Sequence, residues 1–224
     1  MDKPSYWMDM NQPKPEKTSY LLDFTLADNG KIKGTFTRFS SGYAGYEKRK
    51  AIKKFNTTDE YIEDLAGNAK KIKILKSEIS NLDSLEKPLI ETYDVEMNLF
   101  DNVNSGSLAF NPFFFEQIKT NPFKLAERSF PVDWGMPSED TFILTMHLPP
   151  NYTIETRPEI LNIRLPDEGG RFITDYQPGE NSFTFSNGII FNKSIYTAEE
   201  YPYLKELYNR IIQSEKAEMI FKKK

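Results

Sequence analysis

The sequence predicts a mainly β (α+β) fold: an antiparallel β-sandwich with a short helical insertion and a C-terminal helix. Three observations carry that reading. Aromatic residues make up 14% of the chain, led by 17 Phe and 12 Tyr, and such residues favour pleated, half-buried surfaces. After residue 70, short alternating runs recur between clusters of Pro, Gly, Asn and Asp, at the spacing of a sandwich. Helical spacing is confined to two places, about 43–66 and the stretch after Thr197. With 224 residues, 38% of them hydrophobic, the chain is long enough to bury a core.

Residues 1–17 carry Pro4, Pro13 and Pro15 among polar residues and read as a linker or extended arm, with Tyr6 and Trp7 as anchors. Residues 18–224 read as one domain, with a sub-boundary near 80–88. A hairpin opens it: Leu22, Phe24 and Leu26 share a face, Asp28-Asn29-Gly30 turns, and Lys31 to Phe39 returns. A basic helix over 43–55 follows, with Lys48, Arg49, Lys50, Lys53 and Lys54 on it. Thr57 and Glu60 then form a capping box for a second helix through Leu65. Lys71 to Ile79 is a candidate strand. Leu89, Tyr93, Val95, Met97 and Leu99 make one half-buried strand face. Further strands are expected at 107–115, 128–132, 141–148, 152–155, 161–165, 171–177, 181–186 and 188–195. Thr197 and Glu200 form a second capping box, and Tyr201, Leu204, Tyr208 and Ile211 then line one helical stripe. Met219 and Phe221 suggest a last strand.

Charge and composition exclude several classes of function. The net charge is −4, whereas a nucleic-acid binder more often shows a basic balance or stripe. No apolar run is long enough for a membrane span, and no signal peptide is visible. There is no cysteine, which removes disulfides, thiolate nucleophiles and cysteine metal sites together. The single histidine, His147, leaves no multi-histidine metal site within the chain. No cofactor is expected and no metal ligands are assigned. A hydrolase would need a serine or carboxylate within hydrogen-bond reach of His147. No nucleophile motif accompanies that residue, so catalysis by this chain is not expected.

Asp133, Trp134 and Glu139 are the candidate ligand- or partner-binding residues. They fall in a loop that combines carboxylates, a Trp and two prolines, Pro131 and Pro137, which suits a ligand shelf. The competing reading is a rigid corner with Trp134 over the core edge. Asp101 to Gly106 resembles a calcium loop only superficially, because Val103 occupies a ligand place. Asp167-Glu168-Gly169-Gly170 is too short for more than part of a site. The basic helix reads as a solvated face, with contact to an anionic partner as the alternative. Asn111-Pro112-Phe113 and Asn121-Pro122-Phe123 read as turns.

An ordered set of segments resembles the C-terminal region of large bacterial transglutaminase-like proteins. It comprises Gly30 to Gly34, Ser41-Gly42-Tyr43-Ala44, Asn121-Pro122-Phe123 and Arg128-Ser129-Phe130-Pro131-Val132-Asp133-Trp134-Gly135. It continues with Leu148-Pro149-Pro150-Asn151-Tyr152, Leu165-Pro166-Asp167-Glu168-Gly169-Gly170 and Tyr196 to Lys205. In that family the chemistry belongs to a Cys-His-Asp core, absent from this sequence. The resemblance therefore implies a non-catalytic accessory or structural module that supports or orients a transglutaminase-like core. It implies export to the periplasm or surface of a Gram-negative bacterium. The alternative is a peptide- or glycan-binding β-sandwich module. The expected partners are that core and a peptide or glycan ligand, with no nucleic acid and no membrane span.

Overall fold

The first hairpin sets the frame. Strand β1 (Glu16–Leu26) turns through Asp28-Asn29-Gly30 into β2 (Ile32–Ser41). Gly30 takes φ +77°, a region costly for a residue with a Cβ, and its N–H reaches the Ala27 carbonyl at 2.9 Å. The structure, a computed structural model, describes residues 14–68, 71–100 and 106–224. Tyr6, Trp7 and most of the Asp101–Gly106 loop lie outside the described residues. Glu16 and Lys17, assigned to the arm from the sequence, belong to β1: Glu16 donates its N–H to the Pro137 carbonyl and pairs with Ser138.

Helix α1 (Gly42–Ile52) and helix α2 (Thr58–Asn68) follow the hairpin. The capping box at the start of α2 is formed: Thr57 Oγ accepts the Glu60 N–H at 3.2 Å, and the Glu60 carboxylate accepts the Asn56 N–H at 3.0 Å. Strands β3 (Ile72–Ser80), β4 (Leu89–Met97) and β5 (Ser107–Phe110) come next. They are followed by β6 (Val132–Asp133), β7 (Ser138–His147), β8 (Tyr152–Thr156) and β9 (Asn162–Arg164). The chain closes with β10 (Gly170–Pro178), β11 (Ser182–Phe191), β12 (Ile195–Tyr196), helix α3 (Tyr201–Glu215) and β13 (Met219–Lys223).

Eight strands form one sheet in the order β3-β4-β2-β1-β7-β11-β10-β9. All its pairings are antiparallel except β1 with β7, which run parallel from Glu16↔Ser138 to Thr25↔His147. The expected sandwich therefore has a mixed main sheet. A three-stranded sheet, β5-β13-β8, and the pair β12-β6 complete the strands.

Four expected strands change their bounds. The 107–115 run ends at Phe110, because Asn111 bends the chain by accepting the Phe113 N–H on its side chain at 2.7 Å. The 128–132 run shrinks to Val132–Asp133. The runs expected at 181–186 and 188–195 merge into one strand, β11, which ends at Phe191, while Ile195 belongs to β12. Gly188 stays in the ladder opposite Thr141 and Ile173, and a Cβ there would meet the Ile173 side chain at 3.2 Å.

One face of the main sheet is covered along its whole width. At one end α1 and α2 lay Ile52 and Tyr61 over Leu89. In the middle the three-stranded sheet brings Leu108, Phe110, Tyr152 and Phe221 against Phe24, Leu144, Met146 and Phe183. At the other end α3 sets Tyr201, Leu204, Leu207 and Ile211 on Phe172, Ile189 and Phe191. Each fully buried side chain of this size stabilises the fold by about 1.5–3 kcal/mol. The opposite face, with Leu21, Thr37, Thr92, Thr145 and His147 along it, carries no covering layer among the described residues.

Candidate binding cleft

The covered face is apolar at both ends of its strands and polar through the middle. Reading inward-facing positions across the sheet gives Glu91 on β4, Arg38 on β2, Tyr20 and Thr18 on β1, Asp140 on β7, Asn187 on β11 and Thr174 on β10. Register brings them together: Arg38 opposes Glu91, Tyr20 opposes Arg38, Thr18 opposes Asp140, and Asn187 opposes Thr174. A buried charge costs several kcal/mol unless it is paired and hydrogen-bonded. This belt crosses four strand boundaries directly and is interrupted between β7 and β11, where Phe142 lies between Tyr20 and Asn187.

The segment Phe113–Glu116 lies over the belt and divides the space above it into two cavities. The first has a volume of about 210 Å³. Its walls are Phe24, Phe36, Leu65, Ile72, Ile74 and Phe115, and its polar end holds Arg38, Lys48 and Glu91. Glu91 is almost fully buried. Its Oε1 accepts the hydroxyls of Tyr93 at 2.8 Å and Tyr61 at 2.9 Å, and Lys48 Nζ lies at 3.5 Å. Burial pushes both tyrosines well above the usual phenol range. It also lowers the Lys48 ammonium, against the pull of Glu91. Arg38 stacks over the Tyr20 ring at 5.4 Å and donates Nε–H to Ser40 Oγ at 3.1 Å. Its Nη1 stands 3.8 Å from the Glu116 carboxylate, beyond a hydrogen bond.

The second cavity, about 220 Å³, is bounded by Tyr20, Phe113, Ile118, Asp140, Asn187 and Glu215. Glu215 ends α3 and is buried. Burial pushes its carboxyl up to about 7, although the Ile118 N–H at 2.7 Å favours the charged form. Asp140 rises to about 6, first through desolvation by the surrounding protein and then through Glu16. Its side chain is nonetheless open to water, as expected for a group at the mouth of a recess rather than in the interior. Asn187 Nδ2 is buried without a partner.

Residues 106–221 match the profile of a family described as a domain of unknown function with solved structures, DUF3858. The chain belongs to this family. The DUF3858 segment supplies Phe113–Glu116, Asp140, Asn187 and Glu215. Arg38, Lys48, Tyr61 and Glu91 come from the region before it. Among solved structures, that of a presumed protease from Parabacteroides distasonis ATCC 8503 is similar at 16% identity, with a TM-score of 0.42. The likeness covers 53% of this chain and 24% of that one. No curated protein matches the chain.

Within the DUF3858 segment, Asp133, Trp134 and Glu139 do not share a site. Trp134 packs among Phe191 at 4.6 Å, Tyr208 at 6.1 Å and Phe123 at 6.3 Å, and donates its indole N–H to Ser138 Oγ. It covers the core edge, as the corner reading expected. Asp133 is spent locally, accepting the Gly135 N–H at 2.9 Å. Glu139 lies on the opposite sheet face, paired with Lys17 at 2.6 Å beside Arg164 and Arg171. His147 does meet a carboxylate, Asp23 at 3.0 Å, but the two stand on the open face with side chains 48% and 70% exposed. Among the described residues no cluster of three or more acidic or histidine side chains is placed to hold a metal ion.

The basic helix departs from its expected solvated face. Arg49 points inward and caps three carbonyls of the β3–β4 connection, those of Asn81, Ser84 and Lys87, at 2.7–3.0 Å. Lys48 turns into the first cavity. The belt residues were missed for one reason. Glu91 shares the parity of Leu89 and Tyr93, and Asp140 that of Phe142 and Leu144, so each charged residue at an inward position was the available signal.

Proposed function

We propose that the chain is a non-catalytic accessory module of an exported transglutaminase-like protein, serving that protein by holding a peptide segment in the cleft under Phe113–Glu116. The context comes from the ordered sequence resemblance, much of which falls within the DUF3858 segment. One observation carries the binding role: an apolar cavity of about 210 Å³ sits on a rigid sheet face and ends in Arg38, Lys48 and Glu91. Cavities with apolar walls and a few convergent polar groups are the usual form of a binding site. In this reading any chemistry resides in a Cys-His-Asp core elsewhere, and the module orients that core or its substrate. Export to the periplasm or cell surface goes with the same reading. The glycan version requires open aromatic rings, whereas the expected platform, Trp134, is packed among three others.

The test is to produce the chain together with the transglutaminase-like core encoded alongside it. Calorimetric binding and a rise in the melting temperature of either part are expected. Separate elution with unchanged melting temperatures would remove the accessory role.

A further inference from the structure

The first cavity has more to say about its occupant than its size. Its walls are hydrocarbon and aromatic. Phe36 meets Phe115 edge-on at 5.0 Å and stacks on Tyr93 at 5.9 Å. At about 210 Å³ it exceeds the roughly 150 Å³ that accepts a benzene ring in an apolar protein cavity. At the polar end the charges are unevenly satisfied. Glu91 Oε1 lies between two phenol hydroxyls and Lys48, whereas Oε2 is buried without a hydrogen-bond partner, 4.0 Å from Arg38 Nε. Arg38 is different. Its guanidinium makes one hydrogen bond, from Nε to Ser40, and its nearest carboxylate at the terminal nitrogens is Glu116, too far for a hydrogen bond. The two cations are balanced by two carboxylates, Glu91 and Glu116, but neither carboxylate closes a hydrogen bond on the Arg38 guanidinium.

Glu116 is the carboxylate nearest the terminal nitrogens of Arg38. It is a non-glycine residue at φ +53°, a backbone conformation that L-residues avoid, and its side chain is 57% exposed. From that turn it extends a carboxylate toward Arg38 at 3.8 Å without closing a hydrogen bond. A carboxylate tethered at the cavity mouth, facing the terminal nitrogens of Arg38 without a hydrogen bond, marks the place where a ligand carboxylate would dock bidentately.

We infer that this cavity binds an apolar monocarboxylate, its carboxylate on Arg38 and Lys48 in place of Glu116 and its hydrocarbon among Phe36, Leu65, Ile74 and Phe115. Resting on the peptide-binding reading above, the carboxylate is the C-terminus of a peptide ending in an apolar residue. The same chemistry is offered by a free aryl or alkyl acid, and the experiment separates the two.

Three probes are titrated into the full chain and followed by calorimetry and by amide chemical shifts: N-acetyl-phenylalanine, N-acetyl-phenylalaninamide and 3-phenylpropionate. N-acetyl-phenylalanine is expected to bind about tenfold or more tighter than its amide, because the amide forfeits a charge-assisted pair. Glu116→Gln, on an exposed turn where folding is not at risk, is expected to tighten binding several-fold by removing the competing carboxylate. Leu65→Trp, which fills the cavity, is expected to abolish it, with circular dichroism confirming the fold. Equal affinity for acid and amide overturns the inference, as does undiminished binding by Leu65→Trp. Binding of 3-phenylpropionate without N-acetyl-phenylalanine supports the carboxylate site and overturns the peptide source. Binding of a peptide elsewhere, with none of the three probes bound, leaves the peptide-binding reading standing and removes this site.

Discussion

Glu215 is the residue where a single side chain ties the most structure together. Its backbone carbonyl accepts from Asn111 Nδ2 at 3.0 Å and Gln117 Nε2 at 2.7 Å, and its carboxylate accepts from the Ile118 N–H. The end of α3 is thereby fastened to the segment that roofs the cleft. Burial raises the carboxyl from 4.5 to about 7. An acid whose pKa is raised by folding holds its proton more tightly in the native state. Its contribution is therefore fully present below about pH 4.5 and is lost as the pH rises through about 7. At about 1.4 kcal/mol per pK unit, the loss is roughly 3 kcal/mol. Urea unfolding between pH 5 and 8.5 should show the native protein losing about 2–3 kcal/mol. Glu215→Gln keeps an acceptor for Ile118 and should show a much flatter profile, with the remaining slope from Asp140. Superimposable profiles in the two proteins would exclude Glu215 as the source. None of this was legible from the sequence, where Glu215 closes a helix among ordinary polar residues. Its burial depends on a loop about a hundred residues earlier. Glu91, by contrast, carried a signal in its apolar parity with Leu89 and Tyr93, which the sequence reading passed over.

At the scale of elements, the local signals were the more reliable ones. The turn of the first hairpin, the Thr57–Glu60 box and the stripe of α3 depend on neighbours within four residues, so their sequence patterns suffice. Elements that failed were those whose ends are set by distant partners. The run at 107–115 is apolar throughout, yet only four residues pair, because Phe113, Phe114 and Phe115 find better burial as a loop against Phe142, Phe110 and Phe36. Strand β13 is the clearest case of long-range placement. Five residues at the chain's end lie between β5 and β8, with Met219 and Phe221 fully buried. Deleting residues 218–224 strips both neighbours of their shared partner and exposes Phe110 and Phe183. The truncated chain is expected to bind a hydrophobic dye and lose its sharp thermal transition. A truncated chain with an unchanged melting temperature would show that the small sheet adds nothing to stability.

At the scale of the whole molecule, the family boundary and the folding unit do not coincide. The matched segment begins at residue 106, but β7 inside it takes β1 as its parallel neighbour, and Leu22, Phe24 and Leu26 complete the central core. Residues 106–224 alone would present β7 as a long, apolar sheet edge, a form prone to pairing with other chains. That fragment is expected to aggregate or remain partly folded by near-ultraviolet circular dichroism. Addition of residues 14–100 in trans should recover native signal. A monomeric, cooperatively unfolding fragment would show that the earlier strands are a separable layer. The cleft obeys the same logic, since its cations arise before residue 106 and its roof after it.

By itself the sequence determined the fold class, the helical insertion, the C-terminal helix and the want of cysteine chemistry. Those follow from composition and from spacings of two to four residues, which the chain carries in any context. The Thr197–Glu200 box is only half made, since the Glu200 carboxylate accepts the Thr197 N–H but no side chain caps the helix, which starts at Tyr201. Tertiary structure alone decided the parallel β1–β7 pairing, the burial of Arg49, Glu91 and Glu215, and the meeting of Arg38, Lys48 and Glu116 at one cavity. The physical reason is that burial, and with it the energetics of a charge, depends on what the rest of the chain lays over a position.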